Sequence, residues 1–270
     1  MKPIRIIAVK EFKAALKDKV FLVITALFMI LSVISVYIGY STKNAEMKAY
    51  QDIVTLLRSQ NATSFPPAPV IFPLAILENL SAYVSIIGAV LAVFLGFDAF
   101  SGERENGTLK LLLTRPLYRD QLVTRKLLGG GLVIGALLSV TLIFNTILFS
   151  IVSGLVPNAD ELSRLVFFTA LAFIYMMVFY IATLFVSIKA GDRAFGFLLM
   201  MTVWIFVTFV IPQLADSQRN FAYALNSTSQ TVTQIPSDTV VSKTIEIFSP
   251  AVQVRNMGKN LLHVYLKLLV

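Results

Sequence analysis

The side chains from which enzymes build reactive centres are scarce in this 270-residue chain. It has one histidine, His263, and no cysteine, which leaves no material for a histidine-centred triad, a thiolate nucleophile or a cysteine-ligated metal. Eight methionines with no cysteine beside them do not compose a copper relay, so no metal site is expected. Gly129-Gly130-Gly131 opens an apolar run and lacks the lysine of a phosphate-cradling G-x-x-x-x-G-K-[ST] loop. No paired carboxylates accompany it, and the chain is not expected to be an enzyme or to hold a cofactor of its own.

The dense cluster of functional side chains runs from Ser101 to Asp120. Ser101-Gly102 ends a helix, Glu103 and Glu105 flank Arg104, and Asn106-Gly107-Thr108 marks a turn and a new helix start. Leu109, Leu112 and Leu113 then stand at i, i+3 and i+4, and Pro116 stops the helix after two turns, ahead of Arg119. Such a short helix does its chemistry by docking. Its leucine ridge suits a groove on a partner protein, and it equally suits the headgroup layer of a bilayer.

The elements that must position this segment lie in a membrane. The chain is 57% hydrophobic and 14% charged, against roughly 45–50% and 25% in soluble domains, which excludes both an ordinary water-soluble domain and intrinsic disorder. Five runs free of Asp, Glu, Lys, Arg and His occupy residues 20–40, 79–97, 127–156, 165–188 and 194–215. A bilayer-crossing helix needs about 20 apolar residues, and the strict alternation of a barrel strand is absent. The expected fold is an all-α membrane protein, a bundle of five transmembrane helices forming one domain over residues 1–270. The first run exceeds the 7–15-residue core of a signal peptide and is read as a retained span.

Lysine and arginine set the orientation. Residues 1–19, 98–126 and 189–193 hold six, six and two of them, whereas 41–78 and 157–164 hold three and one. The N-terminus and the 98–126 loop are therefore expected in the cytoplasm, with 41–78 and 216–260 outside. The net charge of +8 is thus spread over membrane flanks, and nucleic acid is not expected as a partner. Ala8, Val9, Phe12, Ala15 and Leu16 share one helical face and Lys10, Lys13 and Lys17 another, so residues 1–19 read as an amphipathic elbow helix in the bilayer interface. Outside, a short helix is expected around Met47–Arg58, then extended chain at Phe65-Pro66-Pro67-Ala68-Pro69. Leu261–Val270, interrupted by His263 and Lys267, is too short to cross and reads as the start of a sixth span or an interfacial helix.

With no ionisable group inside the spans, nothing there can relay protons. Asn145 in the third span and Asn79 at the edge of the second read as interhelical hydrogen bonders. Gly88, Ala92 and Gly96 recur every four residues, as do Gly131 and Gly135, so helix backbones approach closely there, within the bundle or against a second copy. Any work the protein performs must draw its energy from another subunit.

The run Ser-Gly-Glu-Arg-Glu-x-Gly-Thr-Leu-x-x-Leu-Leu-x-x-Pro-x-x-Arg, Ser101 to Arg119, resembles the signature of permease subunits in the type-2 ATP-binding-cassette exporter superfamily. Val123–Gly131, with Arg125-Lys126 before a glycine-rich span entry, and Lys10-Glu11 in the basic elbow are similar too. The whole-chain layout resembles the permeases associated with nitrous-oxide-reductase maturation and related multidrug or sodium export systems. The resemblance implies a multi-pass permease of the cell (inner) membrane with six spans, one more than the runs above. It implies a separate ATP-binding subunit that holds ATP and Mg, in an assembly of two permeases and two ATPases. It assigns Glu103 and Glu105 to polar contacts with that subunit, Gly107 and Thr108 to the start of the coupling helix, and Leu109, Leu112 and Leu113 to its inserted ridge. Pro116 and Arg119 would set the exit. A translocation path between two permeases would involve Phe94, Phe97, Met200, Met201 and Trp204. The competing function is a membrane anchor that recruits a cytoplasmic partner through residues 101–119 without transport.

Overall fold

A computed structural model describes residues 19–60, 64–66, 78–105, 119–154, 157–190, 193–227 and 239–263, together with Lys13 and Lys17. Among these residues the regular structure is entirely helical. Helix α1 is Lys19–Ser59. Helix α2, Glu78–Tyr83, runs through a π-helical turn, Val84–Gly88, into α3, Ala89–Glu105. Helices α4, Arg119–Ser153, and α5, Ala159–Lys189, follow. Helix α6, Arg193–Ile205, passes through a second π turn, Phe206–Val210, into α7, Ile211–Ser227. Helices α8, Val240–Ile247, and α9, Pro250–His263, complete the order.

Five stretches are long and apolar enough to cross a membrane, Phe21–Ser59, Leu80–Ala99, Lys126–Val152, Ala159–Lys189 and Ala194–Asn220, and they coincide with the five runs read from the sequence. Most of the elbow segment lies outside the described residues, as do residues 264–270. Large apolar side chains such as Val166, Phe167, Ile174 and Phe185 are exposed along α5, a surface that only lipid or another apolar body can cover.

Helix α5 is the centre of the bundle, packing on α3, α4, α6 and α9, with its tightest and longest contact to α3. Its buried face, Leu165, Phe168, Ala172, Met176, Phe179 and Thr183, follows helical spacing. Asp160 and Glu161 in its first turn and Lys189 in its last suit the helix dipole, and the Asn158 backbone N–H donates to the Glu161 carboxylate at 2.9 Å. Asn145 does join helices, accepting a 2.5 Å hydrogen bond from Ser32 of α1 and donating to the Thr141 carbonyl at 2.8 Å.

Both π turns have local causes. Pro212 has no N–H and its ring crowds the carbonyl four residues back, at Thr208, which opens the helix at Phe206–Val210. At Val84–Gly88 hydroxyls enter the ladder: Ser85 donates to the Ser81 and Ala82 carbonyls at 3.0 and 2.9 Å. Each π turn also gives a carbonyl to a foreign side chain. Tyr175 of α5 donates to the Ser85 carbonyl at 2.5 Å, and Ser249, just before α9, donates to the Val207 carbonyl at 2.8 Å.

Two elements extend beyond the sequence reading. Helix α1 is continuous over 41 residues and absorbs the separate helix expected around Met47–Arg58. At 1.5 Å per residue it is roughly 60 Å long, about twice the hydrocarbon thickness. Phe65 and Pro66 fold back on it, with Arg58 5.9 Å from the Phe65 ring centroid and Tyr50 donating to the Pro66 carbonyl at 3.2 Å. Helix α9 buries Ala251, Val252 and Val254 against the bundle and touches α5, α2 and both π turns. A Cβ on its Gly258 would stand 2.6 Å from Ser81 Cβ, so α9 reaches its neighbours nearly backbone to side chain. Helix α8 packs on α7, where Arg219 pairs with Asp216 at 2.9 Å and with Glu246 of α8.

Candidate coupling site

The segment singled out by its leucine ridge is held between two helices. Glu103 and Glu105 belong to the final turn of α3, and Arg119 is the first residue of α4. Gly107, Thr108, Leu109, Leu112, Leu113 and Pro116 lie outside the described residues. What the structure does give is the footing of the segment, and both of its stems stand on α5.

On the α3 side, Gly96 packs against Tyr180 and Thr183, where an added Cβ would meet the Tyr180 carbonyl oxygen at 2.8 Å. One residue on, the Phe97 carbonyl accepts a 3.5 Å hydrogen bond from the buried Ser187 hydroxyl. On the α4 side, the buried Tyr180 hydroxyl donates to the Lys126 carbonyl at 2.8 Å, and Gly130 lies directly over the Tyr180 ring. Tyr180 therefore touches the root of both stems. A buried tyrosine brings a large apolar ring and a hydroxyl that must find a partner, so it fixes two backbones at once. Sequence reasoning missed Tyr180, because Thr169, Tyr175, Thr183 and Ser187 bring hydroxyls into the same span and nothing local sets this one apart.

The small-residue ladders face the same helix. Gly88 sits on Met176, with a Cβ there 3.3 Å from its sulfur, Ala92 is fully buried, and Gly96 follows on Tyr180 and Thr183. Gly131 and Gly135 look toward Met177 and Phe173 at 3.6 Å. Close approach thus takes place between α5 and its two flanking helices. Adding a methyl group at Gly130 should push the Tyr180 ring off the Lys126 carbonyl and cost about 1–3 kcal/mol by overpacking. Thermal unfolding in detergent checks this. Gly130→Ala combined with Tyr180→Leu should destabilise by less than the sum of the two, because the second change removes the obstructing ring.

Phe97, Met200 and Trp204 are buried in the core where α3 meets α6, with Phe94 and Met201 half-buried against it. Phe97 meets Phe197 edge-on at 5.6 Å between centroids.

Residues 5–265 match the family described as ABC-2 family transporter protein. The chain is 32% identical over 128 residues to a protein named Probable ABC transporter permease protein NosY from Pseudomonas aeruginosa, a match covering 47% of this chain and 38% of that relative. A protein of the same name from Stutzerimonas stutzeri is 30% identical over 128 residues, again 47% and 38% of the two chains. The matched region thus spans well under half the length of these relatives. Membrane-crossing helices packed around α5, with a family match running along nearly the whole sequence, lead to one conclusion: this multi-pass membrane protein belongs to the ABC-2 family of transporter proteins.

Proposed function

We propose that this chain is the permease subunit of an ATP-driven exporter, forming the translocation path while a separate subunit binds ATP and Mg and hydrolyses the nucleotide. The observation that carries the reading is that α3 and α4, the helices flanking residues 106–118, both rest on α5 through Tyr180, Thr183 and Ser187, in a chain of the ABC-2 family. A push on a segment anchored this way passes directly to the central helix, because packed interiors transmit displacement and do not absorb it. Two permeases and two ATP-binding subunits make the working unit. The N-terminus and the coupling segment face the cytoplasm, and the protein resides in the inner, or cytoplasmic, membrane. ATP binding closes the ATPase pair and shifts the bundles between inward-facing and outward-facing states.

The experiment is co-expression with an ATP-binding-cassette ATPase from the same organism, followed by purification and reconstitution into vesicles. Co-purification and faster ATP hydrolysis in the reconstituted complex than in the ATPase alone are expected. A partner that co-purifies with no change in hydrolysis supports the anchor function and overturns the exporter.

A further inference from the structure

Near the Lys19 end of α1, a groove of about 150 Å³ separates α1 from α4. Phe21, Leu22, Thr25 and Met29 line it from α1, and Ala136 and Val140 are among its α4 residues. Its floor is core, with Phe21 3% exposed, while Leu22 and Val140 at the rim are 45% and 57% exposed. The groove opens between these rim residues onto the outer face of two apolar spans, so whatever surrounds that face can enter it. Water does not qualify: the one polar lining side chain is Thr25, whose hydroxyl is covered and has no hydrogen-bond partner, and a stable water needs two to four polar contacts. The occupant is apolar.

Both walls belong to membrane-crossing stretches, Phe21–Ser59 and Lys126–Val152. The α1 lining residues lie two to ten residues beyond Lys19, about 3–15 Å along the axis at 1.5 Å per residue, which is the depth of a single leaflet. At that end Lys13, Lys17 and Lys19 are exposed. Lysines at the polar boundary attract anionic headgroups. We propose that the groove seats one acyl chain of an anionic phospholipid from the leaflet at the Lys19 end, with its phosphate held by Lys17 and Lys19. The lipid completes the contact between α1 and α4 where the two helices part, and this site is independent of the transport reading.

The test uses the full chain in vesicles of phosphatidylcholine and phosphatidylglycerol, with a trace of either lipid carrying a diazirine at mid-chain. After irradiation, peptide mapping should find Met29 labelled about fivefold more by the phosphatidylglycerol probe than Val178, a residue on the open lipid face of α5, as expected of a concave site against a flat one. Ala136→Phe fills the groove and should remove that excess. Lys17→Gln with Lys19→Gln should erase the preference for phosphatidylglycerol over phosphatidylcholine. Equal labelling of Met29 and Val178 in the unaltered protein overturns the proposal without recourse to any variant. Equal labelling by the two lipids overturns the headgroup assignment and the proposal with it.

Discussion

Gly96→Ala should destabilise the bundle by about 3 kcal/mol, the upper part of the range for an overpacked core. The added Cβ would stand 2.8 Å from the Tyr180 carbonyl oxygen and 2.9 Å from Thr183 Cβ. Neither atom is the free end of a flexible side chain. Thr183 is fully buried, stiff through its branched Cβ, and tied by its hydroxyl to the Phe179 carbonyl at 2.7 Å. Relief can come only from moving α3 away from α5, along the most extensive helix contact among the described residues. Gly131→Ala is the matched control, since its Cβ would meet Met177 at an ordinary 3.6 Å. Gly88→Ala should fall between them, because its neighbour at 3.3 Å is the adaptable sulfur of Met176. The measurement is the temperature at which the folded, monodisperse protein disappears in detergent. Gly96→Ala as stable as Gly131→Ala would refute the close approach of α3 and α5.

Leu112→Asp should abolish most of the stimulation of ATP hydrolysis by the reconstituted complex, a fall of about tenfold or more. Seating a carboxylate in an apolar groove costs several kcal/mol, and each 1.4 kcal/mol is about a factor of ten. Leu112 falls in the sequence between α3 and α4 and belongs to none of the five membrane-crossing stretches, so the bundle should keep its thermal stability. Leu112→Met, which preserves apolar volume, should retain most of the stimulation. Glu103→Ala should cost far less, because a polar contact at the rim of an interface is worth about 1 kcal/mol or less. Undiminished turnover with Leu112→Asp would remove residues 109–113 from the coupling role.

The spans were legible because hydrocarbon imposes one rule on every residue that enters it. A run such as Leu165–Ile188 cannot be read in another way once its length reaches that of the bilayer. The same rule hides whatever lies beyond the membrane. Ala45, Glu46, Met47, Lys48 and Ala49 are good helix formers with no glycine or proline among them, so α1 continues into water, but their polarity ends any apolar run. Helix α9 escaped for a related reason. Arg255, Asn256, Lys259 and Asn260 are exposed on one side while Ala251, Val254 and Gly258 are buried on the other, and a count of charges averages the two faces. The leucine spacing at 109, 112 and 113 falls outside the described residues. The hold of Tyr180 on Lys126 was not legible, because a contact between residues 54 apart leaves no local pattern.

The π turns bear on how this sequence can change in length. Each such turn holds one residue more than the α-helix around it, and one residue of α-helix corresponds to about 100° of rotation. Deleting a residue between Val84 and Gly88 would regularise the span and scarcely shorten it. The wider turn spreads its rotation over one residue more, so the five residues Val84–Gly88 turn the chain about as far as four α-helical ones would, and after that deletion Ser81 would still face Gly258 while Gly96 stayed against Tyr180. The same deletion in the regular helix on either side would revolve one half of the span against the other by about 100°, so these two turns are the places where the chain can lose a residue and keep its helix partners.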